Sequence, residues 1–178
     1  MCGDEKLRAM LYDLTENSEF LTTYNFRWAE IGKYTAHGIR DISGPGYWNY
    51  NCFAYALGLN GNPQFDRLVA AHGGHPEPLV PGRFIEHLKK KGILSVRSGS
   101  NYSPQDIVLY YGGKKLKHAA RVVTTIDKLE SKWGVGRHYQ HGLYEVPYTY
   151  GDTIEVARAP DVATVLKELA RWQSSGRK

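Results

Sequence analysis

Two apolar runs, "DIVLYYGG" from Asp106 and "HAARVVTT" from His118, flank a Gly/Lys-rich turn at Gly112-Gly113-Lys114-Lys115. Residues of this kind on both sides of a glycine pair specify a β-hairpin. "KLESKWG", from Lys128, reads as the third strand of a meander, and "GDTIEVARA", from Gly151, as a last strand. Helical periodicity comes before the strands and after them. Leu7, Met10, Leu11, Leu14 and Phe20 recur at helical spacing, which predicts an N-terminal helix over about residues 5–22. Cys52–Leu59 reads as a short buried helix stopped by "GLNGNP", and Phe65–Ala71 as another. Pro81 suits the first turn of a helix with Phe84, Ile85 and Leu88 inward and Gly92 just past its end. Val162, Val165, Leu166 and Leu169 predict a C-terminal helix over about 160–173. Helices followed by a run of strands predict an α+β fold with an antiparallel sheet.

Residues 25–50 are rich in glycine and aromatics and read as loop, with Gly44-Pro45-Gly46 as a turn. No internal repeat or linker divides the chain. The 178 residues are 42% hydrophobic and 23% charged, enough for a core without staples. A single domain over 1–178 is expected, with its core at about 25–158.

Charge and cysteine content narrow the function classes. The net charge of +5 favours acidic partners. The basic residues are scattered apart from Lys89–Lys91 and the group Lys114, Lys115 and Lys117, and no nucleic-acid-binding module is present. Only Cys2 and Cys52 are available, which argues against a disulfide framework. The start "MCGDEKLRAM" lacks the apolar centre of a secretory signal, and no run reaches the ~18–20 apolar residues of a membrane span. The expected setting is cytoplasmic, or export without a cleavable signal, with no membrane insertion. His72-Gly-Gly-His75 and His138-Tyr-Gln-His141 have no zinc-site spacing, and no phosphate-loop or dinucleotide motif occurs. No metal or cofactor is expected.

Cys52 opens the stretch "NCFAYALG". The start of a helix acidifies a thiol through its free N–H groups, and a nearby imidazole acidifies it further. His118 begins "HAARVV" at the edge of a turn, where a ring can project from the sheet. The order, Cys on a helix and then His on a strand, is that of cysteine peptidases with a papain-like core. The third member is open. Glu130 would stabilise an imidazolium and Ser131 is the alternative, and the two face opposite sides of a strand. His138 and His141 are further candidates. Asn51 is a natural N-cap and a candidate oxyanion-hole donor, and Tyr47 and Trp48 are candidate cleft residues.

"NCFAYALG", "DIVLYY", "HAARV", "SKWG" and a later "YG" together resemble a bacterial domain family. Its members pair N-C-x-A-Y-A-L-G with a D-V-x-L-Y strand, an H-A-A-R strand and an S-K-L-G element. The resemblance covers roughly residues 47–151. It implies the papain-like fold of NlpC-type cell-wall hydrolases and a Cys52–His118 dyad, and it marks Ser131. Trp133 stands where the family usually has Leu. The acidic residue that often precedes the family's later His is missing, since Arg137 and Gln140 precede His138 and His141. The expected activity is a thiol hydrolase or acyltransferase acting on an amide or peptide bond of a protein or peptide-like substrate, in the format of a toxin-like effector. The alternative is a catalytically inactive binding module of the same fold.

Overall fold

The computed structural model describes residues 5–15, 38–43, 50–71, 73, 80–98, 102–133 and 138–175. The predicted helix over residues 16–22, the turn at Gly44–Gly46, the cleft candidates Tyr47 and Trp48, and the pair His72 and His75 lie outside the described residues. Five α-helices occur among the described residues: α1 (Glu5–Thr15), α2 (Cys52–Ala56), α3 (Pro63–Ala71), α4 (Gly82–Lys90) and α5 (Val162–Ser174). The strands are β1 (Arg40–Asp41), β2 (Ser95–Val96), β3 (Asp106–Gly112), β4 (Lys115–Val122), β5 (Leu129–Lys132), β6 (His138–His141) and β7 (Thr153–Arg158). They form one seven-stranded sheet in the order β1-β6-β5-β4-β3-β7-β2. Every pairing is antiparallel. The fold is α+β, as the order of elements predicts.

The sheet has a core on each face. On the front face Ile107, Leu109, Tyr111, Ala119 and Ala157 meet the apolar sides of α2 to α5. On the back face Val108, Tyr110, Ala120, Val122 and Val156 meet Leu7 and Leu11 of α1 and the segment around Tyr150. Burial of both faces explains why β3 reads as a nearly continuous apolar run with no alternation. It also explains the buried Arg8 of α1. Its guanidinium donates to the Val146 and Gly151 carbonyls and pairs with Asp152, fastening α1 to the back face.

Helix ends follow local chemistry. Asn51 caps α2, its side-chain oxygen accepting from the Ala54 N–H at 2.9 Å. At the other end Gly58 takes φ +72°, with Gly58 N–H donating to Tyr55 O and Leu59 N–H to Ala54 O. This pairing needs a left-handed residue and ends α2 after five residues. Gly92 ends α4 in the same way, and Pro81 is the N-cap of that helix, one residue before its first turn. Glu168 of α5 is buried and accepts from Lys91 and His87, which hold its carboxyl down to about 2 and join α4 to α5. Sequence reading finds β3, β4, β5 and β7 and omits β1, β2 and β6, which are two to four residues long.

One irregularity sets the geometry of the site. Gly112 pairs with Lys115 and Tyr111 with Leu116, but Tyr110 pairs with His118. Lys117 is therefore an extra residue in β4, a β-bulge. In an unbulged ladder Tyr110 would face Lys117, and His118 would face Leu109 on the front. The bulge turns His118 to the back face.

Deleting exposed Lys117 is expected to remove the bulge and keep the Tyr110–His118 pair, at a cost below about 1.5 kcal/mol in chemical denaturation. Deleting Ala119 shifts Ala120 to Val122 onto the wrong faces and is expected to abolish cooperative unfolding.

Candidate active site

Cys52, the first residue of α2, is a thiol of intermediate exposure. Asn51, beside it, is buried. Its Oδ1 is the cap acceptor, and its Nδ2 donates to the Val80 carbonyl at 2.9 Å, tying the start of α2 to the segment entering α4. The predicted cap is present, and the amide group is engaged at both ends.

The predicted partner of Cys52 lies elsewhere. α2 packs on the front face with Ala119, whereas His118 projects from the back. Its ring stacks on Tyr150 at 4.0 Å between centroids and meets Tyr110 at 5.6 Å. It is 1% exposed. Burial, assisted by nearby His141, lowers its pKa well below the ordinary value, so the ring is neutral. The structure therefore does not bring Cys52 and His118 to one face. The bulge at Lys117 is the physical reason.

The imidazole that meets α2 on the front face is that of His138. β6 pairs Lys132 with His138 and Glu130 with Gln140, and Glu130 pairs with Arg121, two positions from Ala119 on the front. Tyr55, one turn along α2 from Cys52, packs edge-on against the His138 ring at 4.0 Å. Tyr50 stacks beside Tyr55 at 5.8 Å and approaches His138 at 6.3 Å. His138 is 7% exposed, and its Nε2 has no hydrogen-bond partner among the described residues. Burial lowers its pKa to about 4, against the opposing pull of Glu130 and Asp41.

Glu130 and Ser131 divide as alternation requires. Glu130 is on the front with His138, where its carboxylate accepts from Tyr55 Oη at 2.6 Å and from Gln140 Nε2 at 3.1 Å. Burial and that carboxylate raise the Tyr55 pKa, so the phenol stays protonated. Ser131 is on the back. Its hydroxyl donates to His141 Nε2 at 2.7 Å, and His141 Nδ1–H donates to the Gly142 carbonyl at 2.8 Å. Trp133 Nε1–H donates to Ser131 Oγ at 3.0 Å. Ser131 and His141 are almost completely buried. Burial lowers the His141 pKa to about 4.

The sequence candidates thus fall into two sets. Cys52, Asn51, Glu130 and His138 belong to the front; His118, Ser131 and His141 belong to the back. His138 and His141, three apart on a strand, project to opposite faces and cannot share a ligand. Among the described residues no three His, Cys, Asp or Glu side chains converge as a metal site requires. No described helix is long and apolar enough to cross a membrane.

Residues 41–158 match the model of a family described as a domain of unknown function, DUF7689, and the chain belongs to that family. No curated protein and no solved structure matches the chain.

The buried histidines make stability pH-dependent. Unfolded imidazoles titrate near 6.5, whereas His138 and His141 titrate at about 4 in the fold. Between those values the unfolded chain binds more protons, so stability is full above about pH 6.5 and falls towards pH 4. Each of the two costs about 3 kcal/mol at the acid end. Urea midpoints measured from pH 7.5 to 4 are expected to fall steeply, and the fall should be shallower in His141→Asn.

Proposed function

We propose that the protein is a thiol-dependent hydrolase or acyltransferase of papain-like architecture, with Cys52 as nucleophile and His138 as its base. The observation that carries this reading is the shared sheet face: a partly exposed thiol at a capped helix start, and a neutral imidazole with an unpartnered Nε2 against the next turn of the same helix. The substrate is an amide or peptide bond. Cys52 Sγ attacks the carbonyl carbon while His138 Nε2 takes the thiol proton. The imidazolium returns that proton to the amine nitrogen as the C–N bond breaks, leaving a thioester. Water, or an acceptor amine in a transferase, then attacks the thioester and restores the thiol. Glu130 is the positioning residue. Held by Tyr55 and Gln140, its negative charge favours the imidazolium formed in each step.

A generic acyl donor tests the assignment without a known substrate. Incubation with p-nitrophenyl acetate, followed by intact-mass and peptide analysis, is expected to find acetyl on Cys52, formed faster than on a model thiol. His138→Ala is expected to slow its formation at least ~10²-fold, in the range of lost general-base catalysis. His118→Gln, if its circular dichroism is native, should change it less than threefold. Acetylation no faster than a model thiol and indifferent to His138→Ala would remove the thiol reading and leave a binding module.

A further inference from the structure

A second polar site lies at the edge of the sheet. A cleft of about 230 Å³ is lined by Gly38 and Arg40 before and in β1, by Asp127 and Lys128 in the β4–β5 turn, and by Gln140 and His141 of β6. Arg40 is paired in register with Gln140, so both side chains project to the front face at its rim. The side chains of Arg40, Lys128 and Asp127 have no ion pair or side-chain hydrogen bond among the described residues, and all three residues line this one cleft.

The lining also defines what would fit. Arg40 offers a planar fork of donors, suited to a carboxylate, and Lys128 a second cation. Gln140 has its amide nitrogen committed to Glu130 at 3.1 Å. Its carbonyl oxygen is left as an acceptor, and Asp127 lines the same cleft. Both ring nitrogens of His141 are engaged, with Ser131 and with the Gly142 carbonyl, so His141 supplies a wall rather than a proton. Two cations and two acceptors match a ligand that carries a carboxylate together with N–H donors. Asp127 disfavours a polyanion, and the volume is too small for a large ligand. We propose that this cleft binds a small zwitterion of amino-acid or dipeptide size, its carboxylate on Arg40 and Lys128 and its ammonium on Asp127. Nothing in this assignment uses Cys52. Its test reads binding rather than turnover, so it stands or falls separately from the thiol chemistry.

The experiment is a ¹⁵N NMR titration of the full chain with glycylglycine, glycinamide and inorganic phosphate. Glycylglycine is expected to give saturable shifts centred on the amides of Arg40, Lys128, Gln140 and His141. Glycinamide, without the carboxylate, should not saturate. Arg40→Gln should weaken glycylglycine at least tenfold and Asp127→Asn at least threefold. Both side chains are exposed, and an unchanged spectrum away from the cleft confirms that each variant is folded. No saturable shift with glycylglycine, equal binding of glycinamide, or indifference to Arg40→Gln overturns the proposal. So does phosphate binding as tightly at the same amides, which would mark a general cationic patch.

Discussion

The extra residue at Lys117 is the constraint on which the site depends. A strand has only two faces, and one inserted residue reverses every side chain beyond it. Because Tyr110 pairs with His118, Ala119 and Arg121 face the front. Small Ala119 is fully buried in the front core with Ala54 and Ala56 of α2. Arg121 sets Glu130 opposite itself on β5, and Glu130 sets Gln140 on β6. His138, two residues before Gln140, is then on the front as well. The path from the bulge to Glu130 and His138 is a chain of register relations, and Tyr55 of α2 packs onto its end.

Putting histidines on both faces of a doubly covered sheet is costly, and the structure meets the cost differently on each side. His141 has both ring nitrogens satisfied, so its network can stay in a dry core. His118 and His138 each keep a buried Nε2 without a partner among the described residues. Such a group costs about 1–3 kcal/mol relative to a satisfied one. His118 is 1% exposed, stacked on Tyr150 and flanked by Tyr110, away from the face of Cys52. His138 lies against the helix whose first residue is a partly exposed thiol. Similar orphans in different company have different chemical prospects.

This asymmetry is also where sequence reading reaches its limit. Helices α3, α4 and α5 follow from apolar periodicity, and the α2 start follows from Asn51, whose capping preference is local. The β3–β4 hairpin follows from its glycines. The face of His118 does not follow. "HAARV" places two alanines between His118 and Arg121, so no alternation of large apolar with polar residues says which side is the core. The bulge is decided by how the hairpin fits cores on both sides. β6, "HYQH", is four polar or amphipathic residues that read as strand only once β5 is beside them. In the sequence His138 stands as a further candidate for the third member and as half of a His-x-x-His pair that invites a metal reading, and strand geometry sends the two rings apart.

A helix of five residues has little macrodipole to lend a thiol. Activation of Cys52 on the proposed reading therefore rests on local groups: the N–H groups of a first turn fixed by Asn51, and the imidazole of His138. That imidazole is neutral at pH 7, since burial outweighs the pull of Glu130 and Asp41. A preformed thiolate–imidazolium pair would require the ring to be charged in a site that disfavours the charge. The proton must then move as the carbonyl is attacked, when the substrate's developing negative charge helps stabilise the imidazolium. Glu130 matters most at that moment, because its carboxylate favours a ring charge that burial disfavours. On the proposed reading the His138 ring therefore rests neutral and gains its charge only as the carbonyl is attacked.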